Sequence, residues 1–219
     1  MISAIAVAAL TLLGAAGVDT SLNSTWAEQA FAGTLDQAQA GPSNDSTGSS
    51  RIPWPFSFVY GGKPSPELLP SWECHVDVES TEAGQRRTLV FTDPATKLEV
   101  RAVTTVYADT PGVDWTLYFT NKGQADTPAL EHVNALDTSF ASGAGATATF
   151  HSLRSTGGVD DWMPFSIPVP PGQSHAFAPN AGRSSSGACP FFNAQWNDGG
   201  VVVGIGWTGQ WAAAVENRD

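Results

Sequence analysis

The sequence predicts an all-β antiparallel sandwich, on three observations. Apolar and polar residues alternate in several runs, turn-forming residues bound each run, and no stretch keeps a helical period of useful length. Strands joined by short turns, with no helices between them, pair antiparallel and cover one apolar face with a second layer. In chain order, Cys74, Val76 and Val78 alternate with His75, Asp77 and Glu79. Leu89-Val90-Phe91 and Leu98 to Val106 flank Thr92-Asp93-Pro94-Ala95-Thr96-Lys97, a hairpin signal because Asp and Pro both favour turn geometry. Val113, Trp115, Leu117 and Phe119 alternate with Asp114, Thr116, Tyr118 and Thr120, and Asn121-Lys122-Gly123 supplies the next turn. Leu130 to Leu136, Ala146 to Leu153 and Ser174 to Phe177 read as further strands. Val201 to Ile205 is β-branched apart from Gly204. Trp207-Thr208-Gly209-Gln210 then reads as a tight turn and Trp211 to Val215 as the returning strand of a hairpin. An apolar strand with nothing to cover its edge predicts that the sheet continues beyond Asp219.

A chain of 219 residues is long enough for one all-β domain or two small ones, and eight Trp with eleven Phe supply aromatic area for a core. Lys+Arg of 10 against Asp+Glu of 21 gives a formal charge of −11. That balance argues against nucleic acid or an anionic membrane as partner, because phosphate binding needs a cationic surface. Neutral ligands such as sugars or peptides stay open. Cys74 and Cys189 are the only cysteines, and the sequence does not decide between one disulfide and two thiols. They form no metal motif, and His75, His132, His151 and His175 lack the spacing of a metal site. There is no phosphate-binding glycine loop, and Ser184-Ser185-Ser186 lacks a nucleophile elbow, so no cofactor and no nucleophilic serine are expected.

Three segments are expected along the chain. Residues 1–17 read as a signal peptide, because Ile2 to Ala16 is apolar except for Ser3, Thr11 and Gly14, and Ala15-Ala16-Gly17 offers a cleavage site. A basic n-region is missing, and a start codon placed too early is the alternative. Export would make the protein secreted or periplasmic. Residues 18–50 carry little periodicity and end in a Gly/Ser/Asn-rich tract, a flexible extension or linker. Asn23-Ser24-Thr25 and Asn44-Asp45-Ser46 match the glycosylation sequon there. Residues 51–219 form the sandwich.

Asp160-Asp161-Trp162 follows Arg154 and Gly157-Gly158 in a loop. Carboxylates and guanidinium can hydrogen-bond sugar hydroxyls, while an indole face stacks on a pyranose. A solvated loop whose Trp caps the sheet would look the same. Adjacent aspartates on an extended chain point apart, so Asp160 and Asp161 make a poor acid/base pair. Trp207 and Trp211 bracket a turn, where core packing of the hairpin is the leading reading and a sugar-stacking rim the alternative.

Four segments, in order, resemble the N-terminal domain of glycoside hydrolase family 36 α-galactosidases. Pro55-Phe56-Ser57-Phe58-Val59-Tyr60-Gly61-Gly62-Lys63-Pro64-Ser65, with Leu68-Leu69 and Trp72, looks like its opening. Asp114-Trp115-Thr116-Leu117-Tyr118-Phe119-Thr120-Asn121 resembles a central strand. Asp161-Trp162-Met163-Pro164, and Pro190-Phe191-Phe192 through Gly206-Trp207-Thr208-Gly209-Gln210-Trp211, resemble its later part. The resemblance spans about Pro53 to Val215. It implies a galactose-mutarotase-like β-supersandwich, incomplete at its C-terminal end. It also implies a following (β/α)8 barrel that carries both catalytic aspartates of a retaining α-galactosidase. Neither lies within these 219 residues, so no catalytic residue is carried over and no activity is expected of the chain alone. The stretch from Arg154 to Pro164 resembles the part of the domain that lines the galactose pocket, which makes Trp162, with Asp161 and Arg154, the substrate-binding candidates. The implied partners are an α-galactoside and the chain's own C-terminal barrel, and a homo-oligomer stays open. A free-standing carbohydrate-binding sandwich and a purely structural sandwich are the alternatives.

Overall fold

The computed structural model describes residues 54–140, 145–155, 157–197 and 199–218, residues 26, 30 and 31, and the backbone of 7–14. The tract 41–50, the sequon asparagines 23 and 44, and the expected cleavage site at 15–17 lie outside the described residues. The strands open with β1 (Val7–Gly14), β2 (Ser57–Tyr60) and β3 (Lys63–Pro64), after which α1 (Ser65–Leu68) makes a single turn. Next come β4 (Glu73–Thr81), β5 (Gly84–Thr92), β6 (Leu98–Tyr107), β7 (Val113–Asn121) and β8 (Leu130–Asn134). The last are β9 (Ala148–Ser152), β10 (Phe165–Val169), β11 (Gln173–Phe177), β12 (Phe191–Trp196), β13 (Gly199–Ile205) and β14 (Ala213–Asn217). All described pairings are antiparallel, and the fold is all-β, as the alternation predicts. Contacts divide the chain into two units, one of residues 1–6, 24–109 and 113–139, the other of 7–23, 110–112 and 140–219.

The first unit is a meander of β4, β5, β6 and β7 faced by a small sheet in the order β3-β2-β8. Register aligns Cys74, Phe91, Val100 and Phe119 in one row, and Val76, Leu89, Ala102 and Leu117 in the next. These rows make the apolar face that alternation demands. From the opposing layer Phe58 meets Phe119 edge-on at 5.4 Å, and Trp54 meets Phe91 at 4.8 Å. Trp115 is fully buried and satisfies its indole by donating Nε1–H to the Ala135 carbonyl at 2.7 Å. Burying such a ring contributes about 1.5–3 kcal/mol, and the indole N–H requires this acceptor. Phe31 lies inside the stretch read as a flexible extension, yet it is fully buried with its ring 5.4 Å from that of Trp115. Composition missed it because a single aromatic anchor leaves no periodicity.

The β4–β5 turn depends on Gly84, whose φ is +143°. A Cβ there would stand 2.1 Å from the Val106 carbonyl oxygen, so no other residue fits without moving backbone. The β5–β6 hairpin closes on Asp93, which accepts from the Ala95 and Thr96 amides and from the Thr96 hydroxyl.

The second unit pairs β10, β9, β12, β13 and β1 in that order and sets β11 and β14 against them. Val7–Gly14, the apolar run read as the core of a signal peptide, is strand β1, in register from Ala8 opposite Ile205 to Gly14 opposite Gly199. Phe150, Phe192, Val201 and Val203 line the inner face of the large sheet. Phe177 crosses from the small layer to Phe150 at 4.6 Å and to Phe192 at 4.9 Å. The expected β13–β14 hairpin is corrected: β14 pairs with β11, from Gln173 opposite Asn217 to Phe177 opposite Ala213. The connection between β13 and β14 is too anchored to be a tight turn. Gln210 hydrogen-bonds the Pro179 carbonyl and the Gly182 amide, and buried Trp211 donates to the Ser184 carbonyl at 2.8 Å. These contacts carry the chain across to the other layer. Asn217 fastens the far end, donating to the Ala146 and Val169 carbonyls, each at 2.8 Å.

Candidate functional site

The loop from β9 to β10 carries all three sequence-derived site residues, and Asp161 organises it. Its carbonyl accepts from both the Arg154 and Ser155 amides at 3.1 Å, and its carboxylate accepts from the Gly158 amide at 2.9 Å. This double grip accommodates Ser155 at φ +60°, a conformation that costs energy outside glycine. The 3-10 turn Val159–Trp162 follows and presents its apolar side chains to water. Trp162 is 58% exposed, with Met163 and Val159 exposed beside it in sequence.

Arg154 stands at a cavity of about 260 Å³ between the two layers of this unit. Phe150, Phe165 and Ile167 line it from the large sheet, and His175 and Phe177 from the small one. The His175 ring stacks on Phe177 at 5.7 Å with 9° between the planes and packs on Phe150 at 4.7 Å. Ser152 adds a hydroxyl that donates to the Leu153 and Phe191 carbonyls. The volume approaches that of small-molecule sites, and the lining is apolar with a few polar groups. Among the described residues, neither a carboxylate nor a thiol lines the cavity.

Of the three candidates, Arg154 is the one that lines the cavity. Asp161 joins it through the backbone, while the Trp162 indole is absent from the cavity lining. His175 and Phe177 line the cavity without being sequence-derived candidates; their i, i+2 spacing puts both on one face of β11, and in the sequence that spacing signals only a strand. Trp211 is a core residue. Trp207 is 38% exposed and folds over its own turn, where a Cβ on Gly209 would lie 2.7 Å from its Nε1. Both cysteines are free thiols, and burial pushes the Cys74 thiol up, the opposite of an activated nucleophile. Among the described residues, no group of three or more His, Cys, Asp or Glu side chains could hold a metal ion, and no helix is long and apolar enough to cross a membrane.

Comparison with protein-family models, with curated proteins and with solved structures found no match.

Proposed function

We propose that this chain is the non-catalytic N-terminal β-sandwich of an exported α-galactosidase, touching terminal α-galactosides through the Arg154–Pro164 loop. The observation that carries the reading is the exposed indole of Trp162, which follows Asp161 on a loop whose Asp161 carbonyl is tied to the Arg154 backbone amide. An indole on a fixed support stacks on a sugar ring with little ordering cost, and a guanidinium supplies fixed donors for hydroxyls. The resemblance of four ordered segments supplies the enzyme class. In this reading the hydrolytic carboxylates belong to a barrel beyond residue 219, and the sandwich supports it and forms one wall of the sugar site.

Two measurements test it. The reading frame after codon 219 is expected to continue into alternating strands and helices with two strand-end aspartates. The 219-residue chain is expected to leave an aryl α-galactoside untouched; turnover that survives purification and disappears in Asp161→Asn would overturn the proposal. A second reading, a free-standing carbohydrate-binding sandwich, draws on the cavity, whose lining comes wholly from one unit. It expects measurable heat when galactose or raffinose is titrated into the chain, where a pocket wall alone gives none.

A further inference from the structure

The cavity uses only the inner face of the second unit's large sheet. On the outer face, register sets Ser166, His151, Asn193 and Val202 side by side across β10, β9, β12 and β13. The adjoining row is Pro168, Thr149, Gln195 and Gly200. Phe191 ends the β12 line Phe191–Asn193–Gln195 opposite Gly204 and is 62% exposed, whereas the next residue, Phe192, is buried.

Three properties of this face point to one kind of ligand. The first is charge: these positions hold no Asp, Glu, Lys or Arg in a chain whose formal charge is −11. An ionic ligand has nothing to pair with there. The second is a prearranged polar row. His151 Nδ1 lies 2.8 Å from the Ser166 hydroxyl, and Nε2 lies 3.2 Å from Gln195 Oε1. With the amide oxygen taken by the ring, Nε2–H donates to Gln195 and Nδ1 accepts from Ser166, which turns the Gln195 amide nitrogen away from the ring. In the same row, Asn193 Oδ1 is buried without a hydrogen-bond partner. A Cβ on Gly200 would come within 3.4 Å of that oxygen and 3.0 Å of the Ala194 carbonyl, so glycine keeps the neighbouring strand low beside the amide. The third is the exposed ring at one end, in line with the amides. From Phe191 to Gln195 the strand spans roughly 14 Å, longer than one sugar ring.

We propose that this sheet face binds a neutral oligosaccharide. Phe191 stacks on the apolar face of one pyranose, and the Gln195 amide nitrogen and the Ser166 hydroxyl oxygen, both held in place by His151, hydrogen-bond the hydroxyls of the next. Amides and hydroxyls that both donate and accept match a polyol, and the aromatic ring matches the C–H face of the sugar. The site lies on the other side of the sheet from the cavity and stands whether or not the α-galactosidase reading holds.

Native electrophoresis of the full chain through gels containing galactomannan, soluble starch or mixed-linkage β-glucan tests this, with polygalacturonate as the charged counterpart. Retardation is expected in at least one neutral gel and not in polygalacturonate. Phe191→Ala should weaken the apparent affinity about tenfold, the loss of one aromatic stack. Phe191→Tyr should retain it, Gln195→Ala should lower it severalfold, and Val78→Ala, at an exposed position of the first unit, should leave it unchanged. An unaltered thermal transition in each variant shows that the fold survives. Unchanged mobility in all three neutral gels, or equal retardation of Phe191→Ala and the parent chain, would overturn the proposal. So would a Phe191→Ala variant that only converts an oligomer to a monomer, which would make the face a contact between copies.

Discussion

At Asp93 a buried carboxylate replaces water with three protein donors, the Ala95 and Thr96 amides and the Thr96 hydroxyl. Burial alone would raise its pKa, but the Thr96 hydroxyl, the two amides and the charge of Lys97 together outweigh it and hold the carboxyl below its ordinary 3.8. A depressed folded value means the stabilisation is fully present above pH 3.8 and disappears as pH falls through the lower folded value. Asp93→Ala should therefore cost about 1–3 kcal/mol in urea unfolding at pH 7 and flatten the acid limb of the stability–pH curve. Tyr107 acts at the other end of the scale. Its hydrogen bond to the Asp114 carboxylate at 2.6 Å, then burial, pushes the phenol above its ordinary 10. That contribution is complete below pH 10 and is lost as pH rises through the folded value, so Tyr107→Phe should lessen the alkaline loss of stability. Gly84→Ala is expected to cost more than about 1 kcal/mol, because it puts a side chain both at φ +143° and against the Val106 carbonyl.

Among the elements, the end of β14 is tied to the Ala146 and Val169 carbonyls by one side-chain amide. Asn217→Ala leaves the Ala146 and Val169 carbonyls without their donor, and a loss of about 2–3 kcal/mol is expected, with faster hydrogen exchange along β11 and β14. Strands β6 and β7 were legible in the sequence because each buries every second residue, so apolar residues recur with period two and turn residues separate them. Strand β10 was not legible, since Pro164 precedes Phe165–Val169 and Pro168 interrupts it, and proline is tolerated because β10 is the edge of its sheet. The partner of β14 was also hidden. Proximity in sequence favours β13, and what overrides it is a set of side-chain anchors, Gln210 and Trp211, that no periodicity reports. The site was half legible for a related reason. Arg154, Asp161 and Trp162 are contiguous enough to be read as a loop of sugar-compatible residues, whereas the cavity wall is assembled from β9, β10 and β11.

Across the whole molecule the longest closure is that of β1, whose residues 7–14 meet β13 at 199–205. Contacts so distant in sequence form only after most of the chain is in place, so β1 should dock late and refolding should be slow, on the millisecond-to-second scale of β sandwiches. Stopped-flow refolding of the full chain is expected to show a slow phase that a chain lacking residues 1–17 does not. The same docking makes β1 a plug. Without it, Gly199–Ile205 presents an open ladder of a strand rich in valine and free of charge, which is a template for pairing with any other extended segment. If an exported form is cut after Gly17, the cut converts a chain that completes its own sheet into one that must borrow a strand. A free peptide of residues 7–14 should then restore solubility to the shortened chain, the leader acting in trans as it does in cis.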